Sequence, residues 1–176
     1  MTAGIVAFSG PRACGKSTIA EYLYSEYGYT RIAFADAVRI IARSVKPGSE
    51  HNRLFLAEIG QALRKCVPKF AILAVQHSLG NIQGPAVIED IRFPSEVEFC
   101  QSIGAITIRF DIDRDTQIQR LKSRGDDIEK IETLIDCNDE LQFGKNDNWD
   151  LRISAEGDFK NIAARIHKMN RGVANE

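Results

Sequence analysis

The sequence predicts an α/β fold, a five-stranded parallel sheet with helices on both faces. Three observations predict it: strand-like and helix-like segments alternate from end to end, the first and third strand-like segments are continuously apolar, and a glycine-rich turn joins the first strand to the first helix. Residues 4–8 (Gly-Ile-Val-Ala-Phe) form a short apolar run closed by Ser9 and Gly10, the pattern of a strand buried on both faces. In residues 17–27, Ile19, Ala20, Leu23 and Tyr27 recur at helical spacing, and Gly28 suits the helix end. Residues 30–34 predict a second strand. Asp36 is placed to cap a helix carrying Val38, Ile41, Ala42 and Val45, which Pro47-Gly48 stops.

Residues 54–67 and 69–79 predict two helices parted at Pro68. Residues 86–88 predict a third strand ending in Glu89-Asp90, and Pro94 sits where the first turn of a helix tolerates proline. Gly104 ends that helix, residues 105–110 predict a fourth strand and residues 115–123 a helix. A weaker fifth strand falls at 150–153, and a helix over 159–169 closes the chain. The polar stretch 125–145 carries no clear pattern. We expect one domain over 1–176, with small lid or acceptor-binding insertions around 47–82 and 114–146.

Composition excludes several classes. With 176 residues, 44% hydrophobic and 27% charged, the chain is long enough for a core and ordinary in make-up. A net charge of −1 points away from nucleic acid and membrane surfaces as partners. Cys14, Cys66, Cys100 and Cys137 show no metal-ligand spacing, so free thiols in a reducing compartment are expected. Neither a signal-peptide pattern nor an apolar run of membrane length is present, and a cytoplasmic location is expected. His51, His77 and His167 are isolated, and the single Trp149 is read as packing.

The chemistry centres on residues 10–17, Gly-Pro-Arg-Ala-Cys-Gly-Lys-Ser, which match G-x-x-x-x-G-K-[ST] between a strand and a helix. Gly10 and Gly15 let the backbone curl around phosphate oxygens, and Arg12, Ala13, Cys14 and Thr18 complete the cradle. Lys16 neutralises the β- and γ-phosphates of ATP, and the Ser17 hydroxyl is the Mg²⁺ ligand. The N-terminus of the following helix points its N–H groups at the same anion. A second metal-side acid is expected at the end of a neighbouring strand. Asp90 is the candidate, with Glu89 the alternative if the register differs by one, because adjacent strand residues face opposite ways.

Arg92 follows at the carboxyl end of that strand, where parallel α/β sheets bind ligands. Arg120 and Arg124, four apart on one helix face, suit a clamp on a transferring phosphoryl group, although surface helices commonly carry such charges. Arg12 and Arg64 are weaker candidates for phosphate and acceptor contacts. No N-K-x-D or T-K-x-D occurs to read guanine.

Residues 88–96 (Ile-Glu-Asp-Ile-Arg-Phe-Pro-Ser-Glu) resemble the D-V-R-F-P-N-E segment of phage-type deoxynucleoside monophosphate kinases, and Phe34-Ala35-Asp36 resembles their F-A-D. With the phosphate loop, these segments occur in that family's order. The resemblance implies a P-loop kinase fold and Mg²⁺-dependent γ-phosphoryl transfer from ATP to a small-molecule nucleoside monophosphate. It implies that Asp36, Asp90 and Arg92 line the centre between donor and acceptor, and that the protein forms a homodimer; Asp36, Arg64, Arg92 and Glu96 are the expected acceptor contacts. Ser17 stands where family loops often have Asp, and Ser95 where they have Asn. Two competing readings are a kinase acting on a small-molecule hydroxyl, as dephospho-coenzyme A, gluconate or shikimate kinases do, with Asp36 as base, and a nucleotide-binding switch that phosphorylates no acceptor.

Overall fold

The computed structural model describes residues 4–125, 131, 135 and 148–173. The elements, in chain order, are β1 (Ile5–Ser9), α1 (Lys16–Tyr27), β2 (Thr30–Ala33), α2 (Asp36–Val45), α3 (Arg53–Cys66), α4 (Phe70–Leu79), β3 (Ala86–Glu89), α5 (Pro94–Ser102), β4 (Ile106–Asp111), α6 (Arg114–Ser123), β5 (Leu151–Ser154) and α7 (Phe159–Val173). The five strands form one sheet in the order β2-β3-β1-β4-β5. β1 runs parallel to β3, with Val6 opposite Val87, and to β4, with Phe8 opposite Ile108; β4 runs parallel to β5, with Phe110 opposite Ile153.

β1 is the central strand, and Val6, Ala7 and Phe8 are wholly buried. That burial on both faces is why β1 reads as an unbroken apolar run. On one face Val6, Phe8, Val87, Ile108, Phe110 and Ile153 pack with Ile19, Ala20 and Leu23 of α1 and with Ile162, Ala163 and Ile166 of α7. Phe8 and Phe110 meet edge to face, 5.0 Å between centroids. Each buried Val, Leu, Ile or Phe among them contributes about 1.5–3 kcal/mol. Alternation turns Thr107 to the other face, where its hydroxyl lies 3.5 Å from the Gln101 amide of α5. Thr107 also ties in β5: its N–H and hydroxyl donate to the Asp150 carboxylate at 2.8 and 2.6 Å. Helices therefore cover both faces.

The chain divides into two compact units, Met1–Arg31 with Gln83–Glu176, and Ile32–Ile82. The insertion expected at 47–82 falls inside the second unit, which begins earlier, at the end of β2. There α2 buries Val38 and Ala42. The Ser49 hydroxyl donates to the Ala42 carbonyl at 2.9 Å, and Asn52 caps α3 by accepting from the Phe55 N–H at 3.2 Å. Of the insertion expected at 114–146, α6 is described; most of the remainder lies outside the described residues. Asp36 is not the N-cap of α2: Ala35 holds that position, and Asp36 is the first helical residue. Among the described residues no helix is long and apolar enough to cross a membrane.

Candidate phosphoryl-transfer site

The loop between β1 and α1 is shaped by two left-handed turns. Ala13 has φ 59° and Gly15 φ 91°, and α1 starts at Lys16 with no side chain capping its first N–H groups. The sequence places a glycine before the helix start, so those donors and the helix dipole face the concavity of the loop. Gly10 is required for a different reason. A Cβ there would lie 2.7 Å from the Phe110 carbonyl oxygen of β4, at a φ of +150°.

Lys16 folds back over the loop, donating from Nζ to the Gly10 carbonyl at 2.6 Å and the Pro11 carbonyl at 2.9 Å. From outside, α6 staples the loop: Gln117 Nε2 donates to the Arg12 carbonyl at 3.0 Å, and the Arg120 guanidinium donates to the Ala13 carbonyl at 3.2 Å and to the Ala155 carbonyl at 2.9 Å. Residues 117 and 120 share a helix face, so one helix delivers both donors. The Arg120–Arg124 clamp expected from spacing is not what α6 builds. Arg124 is the exposed C-cap residue, while Arg120 braces the loop backbone.

The acid beside Ser17 is Glu89. It is the last residue of β3 and 6% exposed, and its carboxylate couples to the Ser17 hydroxyl. Burial pushes its pKa up, against the opposing pull of Arg31, while the Asp90 charge raises it further. Sequence reasoning prefers Asp90 and keeps Glu89 as the alternative; Glu89 is the acid that couples to Ser17. The alternation argument required both acids to lie within a strand, whereas Asp90 follows the strand with φ 64°. Asp90 stays close enough to couple to Glu89 electrostatically.

Sequence reasoning misses Arg31. Its Nε donates to Glu89 Oε1 at 2.8 Å, its second terminal nitrogen lies 2.8 Å from the same oxygen, and the first pairs with Glu21 of α1. The one available signal is a charged residue in a short strand otherwise ending in Ile32-Ala33. Arg109 is missed as well. It donates to the buried Ser9 hydroxyl at 2.9 Å, Ser9 donates to the Ile91 carbonyl at 3.1 Å, and Trp149 lies over Arg109 at 6.0 Å. This chain links the foot of the phosphate loop to the backbone just before Arg92.

The Arg92 side chain is exposed. Glu96 is not positioned as an acceptor contact: it is 4% exposed, and its Oε2 accepts the N–H groups of Arg92 at 2.8 Å and Phe93 at 3.2 Å. It braces the start of α5, the capping role that a glutamate in the first turn of a helix commonly plays. In the second unit, the Asp36 carboxylate accepts the Ala33 N–H at 2.7 Å and pairs with Arg39 at 3.1 Å. The Arg64 guanidinium lies 5.6 Å from the centre of the Phe70 ring.

No protein-family model matches the chain, and no curated protein is similar to it. Solved structures share its fold. Protein TT1252 from Thermus thermophilus superposes with a TM-score of 0.65 at 20% identity over 96% of each chain. The tunicamycin resistance protein of Deinococcus radiodurans gives 0.54 at 16% identity over 95% of each. Shikimate kinase from Aquifex aeolicus gives 0.51 at 14% identity, covering 97% of this chain and 98% of that one. The fold is thus P-loop kinase-like. Chemically, the site offers a curled loop of N–H donors, one lysine ammonium, a serine hydroxyl beside a buried carboxylate, and exposed guanidinium at the strand ends.

Proposed function

We propose that the protein transfers the γ-phosphoryl group of ATP to a deoxynucleoside monophosphate. The observation that supports phosphoryl transfer is Lys16 folded across the loop onto the Gly10 and Pro11 carbonyls, with Ser17 next to it in sequence and coupled to the buried Glu89 carboxylate. Mg²⁺ in such sites takes one or two protein oxygens and fills its remaining positions with phosphate oxygens and water. Ser17 and Glu89 supply that donor set and would hold the ion. When bound, the ion would neutralise phosphate charge.

The loop N–H groups and α1 dipole bind the triphosphate, and Lys16 exchanges its carbonyl partners for phosphate oxygens. A monophosphate acceptor is already an anion, so the protein needs alignment and charge neutralisation rather than a strong base. Exposed Arg92, held at its backbone by Glu96, is assigned to the acceptor phosphate. The resemblance of residues 88–96 and 34–36 to phage-type deoxynucleoside monophosphate kinases supports this acceptor class. It also supports a homodimer, to be checked by sedimentation; a monomer across the assayed range removes that element.

A second reading, transfer to a small-molecule hydroxyl with Asp36 as base, is favoured by a carboxylate left 47% exposed at the start of α2. One screen separates the two: ATP consumption coupled to product identification across deoxy- and ribonucleoside monophosphates, modified pyrimidines included, and a panel of alcohols. We expect turnover on a deoxynucleoside monophosphate. Turnover confined to an alcohol, or nucleotide binding without any phosphorylated acceptor, overturns the proposal.

A further inference from the structure

We propose that Arg31 is the positioning residue of the metal–nucleotide subsite, joining the helix that carries Ser17 to the strand that carries Glu89. This inference rests on the phosphoryl-transfer reading of that site. Glu21 lies four residues beyond Ser17, so the two stand on the same face of α1. Glu89 closes β3. Arg31, on β2, spans them, one arm on Glu21 and two nitrogens on Glu89 Oε1. Because both contacts to Glu89 fall on a single oxygen, the guanidinium fixes where that oxygen sits and leaves the second oxygen of the carboxylate for another ligand. A planar fork does this; a flexible ammonium holds charge without fixing the plane.

Stability alone does not account for the arrangement. The Glu21 carboxylate is 60% exposed, and exposed pairs contribute little. The Glu89 side chain is 8% exposed, and a buried charge pair is weak as a stabilising device because desolvation offsets its attraction. An outer partner that orients a metal-binding carboxylate, in contrast, commonly controls metal affinity. The prediction is therefore selective. Removing Arg31 impairs what depends on the ion and spares what depends on Lys16 and the loop.

Titration calorimetry with a non-hydrolysable ATP analogue, in Mg²⁺ and in EDTA, tests this on the full chain. Arg31→Gln is expected to weaken binding in Mg²⁺ about 10- to 100-fold while leaving the EDTA affinity unchanged. Arg31→Lys is expected to fall between, and Glu21→Gln to show a smaller loss of the same kind. Equal losses in both conditions, or none, overturn the proposal. If Arg31→Gln does not fold, Arg31→Lys carries the same comparison, and the same outcomes uphold or overturn the proposal. Wild-type protein that phosphorylates no acceptor, yet shows the Mg²⁺-selective loss on substitution, refutes the proposed reaction and upholds Arg31. Turnover with no selective loss does the reverse.

Discussion

Replacing Gly10 by alanine isolates the geometry on which the phosphate loop depends. The added methyl would meet the Phe110 carbonyl oxygen at 2.7 Å and Cys14 Sγ at 3.0 Å. Carbon–oxygen contacts of this kind settle at about 3.3 Å, so the loop must retreat by roughly 0.6 Å. The carbonyl cannot yield instead, because it belongs to β4, which is paired on both sides, with β1 and β5. Holding alanine at a φ of +150° adds strain of about 1–3 kcal/mol, which lowers Tm by roughly 2–4 °C per kcal/mol at this chain length.

Gly28→Ala is the control. Its φ is +68° and nothing lies within 4 Å of the added Cβ, so about 1–2 kcal/mol of backbone strain is expected there without displacement of the loop. A misplacement near 1 Å costs on the order of 100-fold in a positioned site, so Gly10→Ala should weaken nucleotide binding by about tenfold while Gly28→Ala leaves it unchanged. Thermal melts and calorimetry on both proteins give the comparison. Nucleotide affinity in Gly10→Ala equal to that in Gly28→Ala would refute the reasoning.

Three further predictions follow from the same contacts. Glu89→Gln should lower kcat/KM by about 100- to 1,000-fold and Asp90→Asn by less; the opposite order in steady-state assays returns the metal-side role to Asp90. Gln117→Ala removes the donor to the Arg12 carbonyl from a buried site and should destabilise the protein by about 1–3 kcal/mol, measured by urea unfolding, with a raised KM for ATP. Asp113 accepts the Thr116 N–H at 2.8 Å at the start of α6, and hydrogen bonding to Thr116 holds its pKa down from 3.8 to about 2. Because the folded value is depressed, its stabilisation is fully present above 3.8 and disappears as pH falls through about 2. Carboxyl chemical shifts followed by NMR should titrate accordingly, and an ordinary midpoint would show that the cap is not formed.

Much of the fold was legible because local rules and global architecture agree. The strand-like runs at 4–8, 86–88 and 105–110 became the three inner strands, with boundaries moved by a residue at one end or both. The phosphate loop was legible for the same reason: each of its fixed positions answers a local requirement of backbone or charge. Reading failed where a residue's role depends on a neighbour distant in sequence. Glu89 and Asp90 differ by one position, and only the left-handed turn at Asp90 decides that strand alternation no longer applies there. Glu96 carries the charge of a ligand contact, yet its carboxylate turns back onto the Arg92 and Phe93 N–H groups. Arg120 and Arg124 share a helix face by spacing, but the buried side of α6 takes only Arg120 to the loop.

By itself, then, the sequence determined the parallel α/β sheet, the loop at residues 10–17 and the order of elements around it. Those features follow from side-chain periodicity and from the short reach of glycine, lysine and serine. Only the tertiary structure decided that Glu89 is buried, that Arg31 joins Glu89 to Glu21, and that Gln117 and Arg120 brace the loop. The reason is physical: these contacts span from 10 to 107 positions of chain, and pairing of strands and helices, not local propensity, brings them within hydrogen-bond distance.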